Sequence, residues 1–421
     1  MFHRIYFGWW VMLGCFVSYA AAQGIFVYTL PVLYPELIDE FGWNSEQMTR
    51  PATLGYILGA IMVPFVSALF DRYSVRISMI LGVFGITLGL ALYPRIGNLA
   101  HLMWIYVIFA FGQVGCGLVP NMLLMTRWFR RRRGIAIGIV LLGSTIGGAL
   151  FPLIVKAVLD GGNWRDAVAI LALIGGTLML IPVIAFIRNK PADMGLLPDG
   201  DQTIKEDTIP DITATGPTLR QAIKTPAFYL LLVATGGLWF TATGILQHQS
   251  IYIGRELGVE TGTIALIVSL FFWGAIAGKL IFGWLSDHLD KTLMMLAATL
   301  LLIVGLMILR FSSAGSPFML YGYALIFGIG FSGSFTMIQI VVAEFFAGQS
   351  YGRILGIFTM VDVGAGGIGI NAVGRMEVAA GTYTTVLEGL AGLCVLIAGI
   401  IIVLYRMQPT KKEAEAEASY G

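Results

Sequence analysis

The sequence predicts an all-α polytopic membrane protein, with twelve transmembrane helices in two six-helix halves, and three observations predict it. Of 421 residues, 57% are hydrophobic and only 12% are charged, and the mean hydropathy is +0.83. An ordinary soluble domain carries about 25% charged residues, and no soluble fold could hide so much apolar surface. Twelve apolar windows are each long enough to cross a hydrocarbon core of about 30 Å, which takes roughly 20 helical residues. The second six windows also repeat landmarks of the first six at nearly one sequence offset.

Taken in order, the windows are bounded by charges or turn residues. The first, 8 to 35, begins after Arg4 and shows no small-residue cleavage site, so it is expected to be a retained helix and not a signal peptide. Windows 50 to 70 and 77 to 95 flank Asp71, Arg72 and Arg76, and 101 to 126 stops at Arg127. Windows 134 to 158 and 166 to 187 lie between Arg133 and Arg188. The second six run 225 to 250, 261 to 285, 292 to 310, 317 to 345, 353 to 375 and 385 to 405. These windows divide the chain into a first half at 1–187, a polar linker at 188–224 rich in Pro, Asp, Thr and Gly, a second half at 225–406, and a charged tail at 407–421.

Orientation follows from the basic residues. Of 26, 18 fall in segments that are cytoplasmic when both termini lie inside; Arg50, Arg95, Arg165, Arg255, Arg310 and Arg375 fall in outer loops, while Lys156 and Lys279 lie within helices. That bias fixes the topology by the positive-inside rule, and it explains why "RWFRRRRG" abuts an apolar run: the arginines anchor a cytoplasmic turn. With 26 basic against 24 acidic residues, nothing remains for a nucleic-acid partner to recognise. Cys15, Cys116 and Cys394 sit in apolar stretches without zinc or disulfide spacing, and four scattered histidines suggest no metal site. No cofactor is expected. Nor is an enzyme, since nothing resembles a nucleophile, a phosphate-binding loop or a metal cluster.

The repeat is carried by three matches in order. "EFGWNSEQMT" at 40 to 49 returns as "ELGVETGTIA" at 256 to 265, 216 residues on, and the same offset lays Asp71 of "SALFDRYSVR" on Asp287 of "GWLSDHLDK". A shift of 218 then brings "GIAIG" at 134 to 138 onto "GRILG" at 352 to 356. Two related six-helix halves are the parallel-repeat plan of many secondary transporters.

"SALFDRYSVR" resembles the signature loop after the second helix of the major facilitator superfamily, with Ser67 and Ser74 where glycines usually occur. Within it, "RWFRRRRGIAIGIVLLGSTIGG" is similar to the helix 4 to 5 signature of monocarboxylate transporters, and "FGWW", "FGWNSEQM" and "NKPADMGLLPDG" look like bacterial members of that group. The resemblance implies a bacterial inner-membrane protein with both termini cytoplasmic, working as a monomer. It also implies that Asp71, Arg72, Arg76 and Asp287 gate by charge pairing between cytoplasmic helix ends. The helix-5 glycines, Gly134, Gly138, Gly143, Gly147 and Gly148, read as packing or sliding surfaces on physical grounds alone, because small residues let membrane helices approach closely.

An ionisable group inside a membrane helix costs about 2.5 to 3.5 kcal/mol on insertion scales, so each one present asks for a partner or a cavity. Lys156 and Glu344 lie near helix ends and can reach the interface. Lys279, in "SLFFWGAIAGKLIFGWLSD", lies deeper. The resemblance puts it where monocarboxylate transporters hold the substrate carboxylate with an arginine; lysine keeps the charge but loses the planar fork. The acid one turn earlier in animal members is Ala275 here, and their helix-1 lysine falls near Val27 and Tyr28. Asp362 is the only carboxyl residue near the middle of a helix, suited either to proton coupling or to a structural pairing with Lys279 or backbone groups. Gln23, Tyr28, Gln113, Asn121, Gln247, His248, Gln339 and Asn371 are polar positions able to line a cavity or to bond between helices, and Phe331 and Phe335, one turn apart, offer an apolar wall.

The expectation is a secondary transporter working by alternating access, carrying a singly charged organic anion, a monocarboxylate, together with a proton across the bilayer. Anion exchange, or proton-coupled efflux of lipophilic or cationic compounds, is the alternative, and Lys279 argues against the latter. A membrane sensor that kept the fold without transport is the rival from another class.

Overall fold

A computed structural model describes residues 6–72, 74–200, 217–346 and 350–407, with side chains at 63–72 and 352 excepted. Among these residues run twelve long helices: α1 (Phe7–Phe41), α2 (Ser45–Arg72), α3 (Val75–Arg95), α4 (Leu99–Trp128), α5 (Arg133–Leu159), α6 (Trp164–Phe186), α7 (Pro226–Glu256), α8 (Thr261–Leu285), α9 (Lys291–Phe311), α10 (Pro317–Phe346), α11 (Tyr351–Ala380) and α12 (Tyr383–Arg406). Several of their starts carry ordinary capping chemistry, while α1, α5, α8 and α11 begin without a side-chain cap. Asn163 and Asp166 close a capping box on α6, Asp290 accepts from the Thr292 and Leu293 N–H groups at α9, and Thr225 precedes Pro226 at α7.

The windows read from sequence are all present, but several helices run further. α1 continues past residue 35 because Tyr34–Phe41 is amphipathic, burying Tyr34, Pro35, Leu37 and Ile38 beneath Glu36, Asp39 and Glu40. It also winds as a π-helix at Gln23–Thr29 and as a 3-10 turn at Leu30–Leu33, where Pro31 removes a donor. α7 ends in a similar π segment, Tyr252–Glu256. α4 breaks at Gly117 (ψ −143°), and the Asn121 amide bridges the break by donating to the Cys116 and Gly117 carbonyls at 2.9 and 2.6 Å.

Packing follows the repeat. Within the first six helices, α3 packs on α4 and α6, and α1 on α5 and α6; within the second six, α10 packs on α8 and α9, and α7 on α11 and α12. Across the two sets, α2 meets α11 and α5 meets α8. The glycine run explains the closeness of α1, α5 and α8: a Cβ on Gly147 would lie 2.1 Å from the Ala20 carbonyl oxygen, and one on Gly148 would lie 2.6 Å from the Phe272 ring. Among the described residues a Cβ on Gly134 or Gly138 would meet nothing within 4 Å, so only part of the run packs against them.

The linker differs from the expected polar spacer at its start. Both Arg130 and Arg131 N–H groups donate to the Asp199 carboxylate at 2.8 Å, and the Tyr6 hydroxyl donates to the Trp128 and Leu197 carbonyls, so residues up to Gly200 are fastened to the α4–α5 turn. Residues 201–216 and the tail from 408 lie outside the described residues.

Candidate functional site

Between the two sets of helices lies a cavity of about 690 Å³, within the range of organic-ligand sites. Its walls come from both sets: α1, α2, α4 and α5 on one side, α7, α8, α10 and α11 on the other. The cavity reaches toward the face that carries the α2–α3 and α4–α5 turns, the arginine-rich face. Leu355, Gly356 and Thr359, near the start of α11, line it there, and a Cβ on Gly356 would meet nothing within 4 Å among the described residues.

Toward the opposite face the two sets are tied together. Arg375 of α11 donates to Glu46 of α2 at 3.0 Å, and Arg255 pairs with Asp39 at 2.9 Å. The Thr261 hydroxyl donates to Glu36 at 2.6 Å, and the Tyr34 hydroxyl donates to Gln247 at 3.1 Å. A Cβ on Gly374 would sit 3.1 Å from the Glu46 Cα, so α2 and α11 touch there. One face is therefore latched, and the other leads into the cavity.

Lys279 is the only charged side chain among the described residues lining this cavity. Its ammonium crosses to the other set of helices, donating to the Thr145 hydroxyl at 2.6 Å and the Leu141 carbonyl at 3.2 Å, both on α5. Aromatic and aliphatic side chains make up most of the walls around it. Tyr28 lies against Phe272 with ring centroids 4.3 Å apart, Trp239 against Phe335 at 5.4 Å, and Phe331 against Phe271 at 5.3 Å. The Gln23 amide donates to Gln113 at 3.3 Å and gives the cavity a second polar spot.

Of the residues singled out from sequence, Lys279, Gln23, Tyr28, Gln113, Phe331 and Phe335 line the cavity, and others stand elsewhere. Asn121 is fully buried at the α4 break. His248 is buried toward the latched face; its Nε2 lies 2.9 Å from the Ile370 carbonyl, which makes that nitrogen the donor, so Nδ1 accepts from the Tyr383 hydroxyl at 2.6 Å. Gln339 is half-buried off the cavity wall. Asp362 is buried behind the wall formed by Thr359 and Val363, against Thr235 of α7, and among the described residues its Oδ1 has no hydrogen-bond partner. Among the described residues it forms no ion pair with Lys279, so the pairing expected as one role for it is not made.

The gating candidates are placed as follows. Arg76 is tied to the end of α6, its N–H donating to Asn189 and its guanidinium to the Ile184 carbonyl at 2.7 Å. Asp287 is exposed in the turn after α8. The side chains of Asp71 and Arg72 lie outside the described residues. Sequence reasoning missed Thr145, Trp239 and Tyr56, which line the cavity without any charge or spacing to mark them.

Comparison with known proteins decides the family. The family model described as the Major Facilitator Superfamily matches residues 11–252 and 233–419. This chain belongs to the major facilitator superfamily. It is a membrane transporter of that superfamily, and both the resemblance and the expected fold stand. Similar proteins include monocarboxylate transporter 13 of Bos taurus, 23% identical over 400 residues covering 94% of this chain and 89% of that protein. Another is the oxalate:formate antiporter of Oxalobacter formigenes, 26% identical over 281 residues covering 64% and 62%. Among solved structures, a bacterial homolog of the human lysosomal transporter Spinster, inward-facing and unoccupied, superposes with a TM-score of 0.67 at 16% identity, covering 95% of each chain; that likeness concerns the fold alone.

Proposed function

We propose that this transporter carries a small, singly charged organic anion, a monocarboxylate, in symport with a proton. The observation that supports it is Lys279, the one charged side chain among the described residues of a cavity whose other walls are mostly aromatic and aliphatic, with a few neutral amides and hydroxyls. An anion with an apolar body is complementary to such a cavity: its charge meets the ammonium and its body meets the rings. A cationic substrate would meet Lys279 with like charge and no lining carboxylate among the described residues. The names of its relatives point the same way, toward carboxylate anions.

The moving bodies are the halves at 1–187 and 225–406, joined by the linker 188–224. With the basic-rich face cytoplasmic, the cavity opens inward and the Glu46–Arg375 and Asp39–Arg255 pairs close the outer side. Lys279 links the halves through α5, so an anion that takes up its charge acts directly on the contact between them. Asp362 is the proton site of this proposal: Oδ1 has no partner among the described residues, and α11 runs from the cavity wall to the outer latch. Carrying one anion with one proton is electroneutral. The protein works as a monomer in a bacterial inner membrane.

Proteoliposome uptake of labelled lactate, pyruvate, acetate and phenylacetate, with and without an imposed proton gradient, tests this. Gradient-driven accumulation of any of them supports symport. Counterflow without accumulation replaces symport by exchange, and movement of a lipophilic cation with none of the four overturns the substrate class.

A further inference from the structure

We propose that Thr145 is the second donor of a carboxylate clamp whose first donor is Lys279, so that the bound anion touches both halves of the transporter at once; this rests on the carboxylate reading above. A lysine ammonium has three N–H donors. Two of them are spent on α5, at the Leu141 carbonyl and the Thr145 hydroxyl, and the third is left for a ligand in the cavity that Lys279 lines.

Thr145 is poised by the same contacts. A threonine in a helix ordinarily gives its hydroxyl hydrogen to the carbonyl four residues back, which here is Leu141. That oxygen already accepts from the Lys279 ammonium at 3.2 Å and from the Ser144 hydroxyl at 3.0 Å, besides the helical N–H of Thr145 itself. Three donors already crowd an oxygen with two lone pairs, and among the described residues no bond runs from the Thr145 hydroxyl to Leu141 or to Leu142, the other carbonyl within helical reach. The Thr145 oxygen accepts from Lys279, which leaves its hydrogen free, and among the described residues it has no acceptor. Thr145 lines the cavity beside Lys279. One N–H and one O–H set 2.6 Å apart, on a cation and the group it polarises, offer a carboxylate one donor for each oxygen. The directionality that lysine lacks beside arginine is thus supplied from the opposite half.

Substrate binding and transport of labelled phenylacetate and lactate are compared in the parent, Thr145→Val, Thr145→Ala and Thr145→Ser, reconstituted as the full chain, with thiocyanate as competitor. The removal of one charge-assisted hydrogen bond is expected to weaken carboxylate binding about tenfold to a hundredfold in the Val and Ala variants, and Ser is expected to restore it. Thiocyanate, a monoanion without a carboxylate, needs only the Lys279 charge, so its competition constant is expected to stay within about threefold of the parent. If the Val and Ala variants bind both carboxylates as the parent does, or if thiocyanate weakens in parallel with them, the clamp is overturned and Thr145 only props the lysine. If the parent binds no carboxylate at all, the functional reading falls first and the clamp with it.

Discussion

Breaking the latch on the closed face should expose the cavity from that side, by an amount the structure bounds. Glu46 accepts from Arg50 on its own helix at 2.9 Å and from Arg375 on α11 at 3.0 Å, and only the second bond crosses between the sets of helices. The Arg375 side chain is 67% exposed, so solvent screens the pair and its worth is about 0.2 to 1 kcal/mol. Glu46→Gln should therefore shift the closed-to-open equilibrium of this face by at most about fivefold. The Asp39–Arg255 pair is similarly exposed, and adding Asp39→Asn should raise the shift to at most about thirtyfold if the sites act independently. Ala52 gives a reporter. It is buried on α2, one turn before the cavity-lining Gly55 and Tyr56 and one turn after Thr49, which abuts Gly374. Maleimide labelling of Ala52→Cys in detergent should accelerate by these factors, with a background kept low because Cys15, Cys116 and Cys394 are buried. Unchanged labelling in the double variant would refute the latch.

Further expectations concern pH, packing and coupling. Hydrogen bonds from Arg50 and then Arg375 hold the Glu46 carboxyl, which precedes the apolar span of α2, below its ordinary range. A depressed pKa adds stability that is present above the ordinary glutamate range, near 4.3, and is lost as pH falls through the depressed value. The melting-temperature gap between parent and Glu46→Gln should thus stay constant from pH 8 to about 5 and close only in more acid solution. Gly147→Val should force α1 from α5 and cost about 1 to 3 kcal/mol, seen as a lower melting temperature, whereas Gly134→Ala, whose Cβ would meet nothing within 4 Å among the described residues, should leave it unchanged. Asp362→Asn should keep substrate exchange but equilibrate substrate without concentrating it, and full gradient-driven accumulation by that variant would remove Asp362 from the proton path.

Charge and apolar length make most of the fold legible in the chain itself. Twelve windows, the repeat at offsets of 216 and 218, and a lysine stranded in an apolar run are one-dimensional signals, and they lead to the helices, their repeat as two sets of six and Lys279. The extension of α1 to Phe41 is hidden because an amphipathic stretch capped with acids looks like a loop. Asn121 and His248 are recognisable as polar residues within helices, but what they bond is decided by a helix break and by a neighbouring helix, neither of which is local in sequence. Thr145 is obscured by its setting: in "GSTIGG" a hydroxyl reads as part of a packing surface, and only the approach of α8 turns it toward Lys279.

The central claim is that the Lys279 charge selects a monoanion, and binding of a matched pair of ligands tests it most directly. Phenylacetate and phenylacetamide share a shape and differ in charge. The parent should prefer the carboxylate by about a hundredfold, the worth of a charge-assisted contact of about 3 kcal/mol, and Lys279→Gln should abolish that preference while Lys279→Arg keeps it. An undiminished preference in Lys279→Gln, or equal binding of both ligands by the parent, would contradict the account.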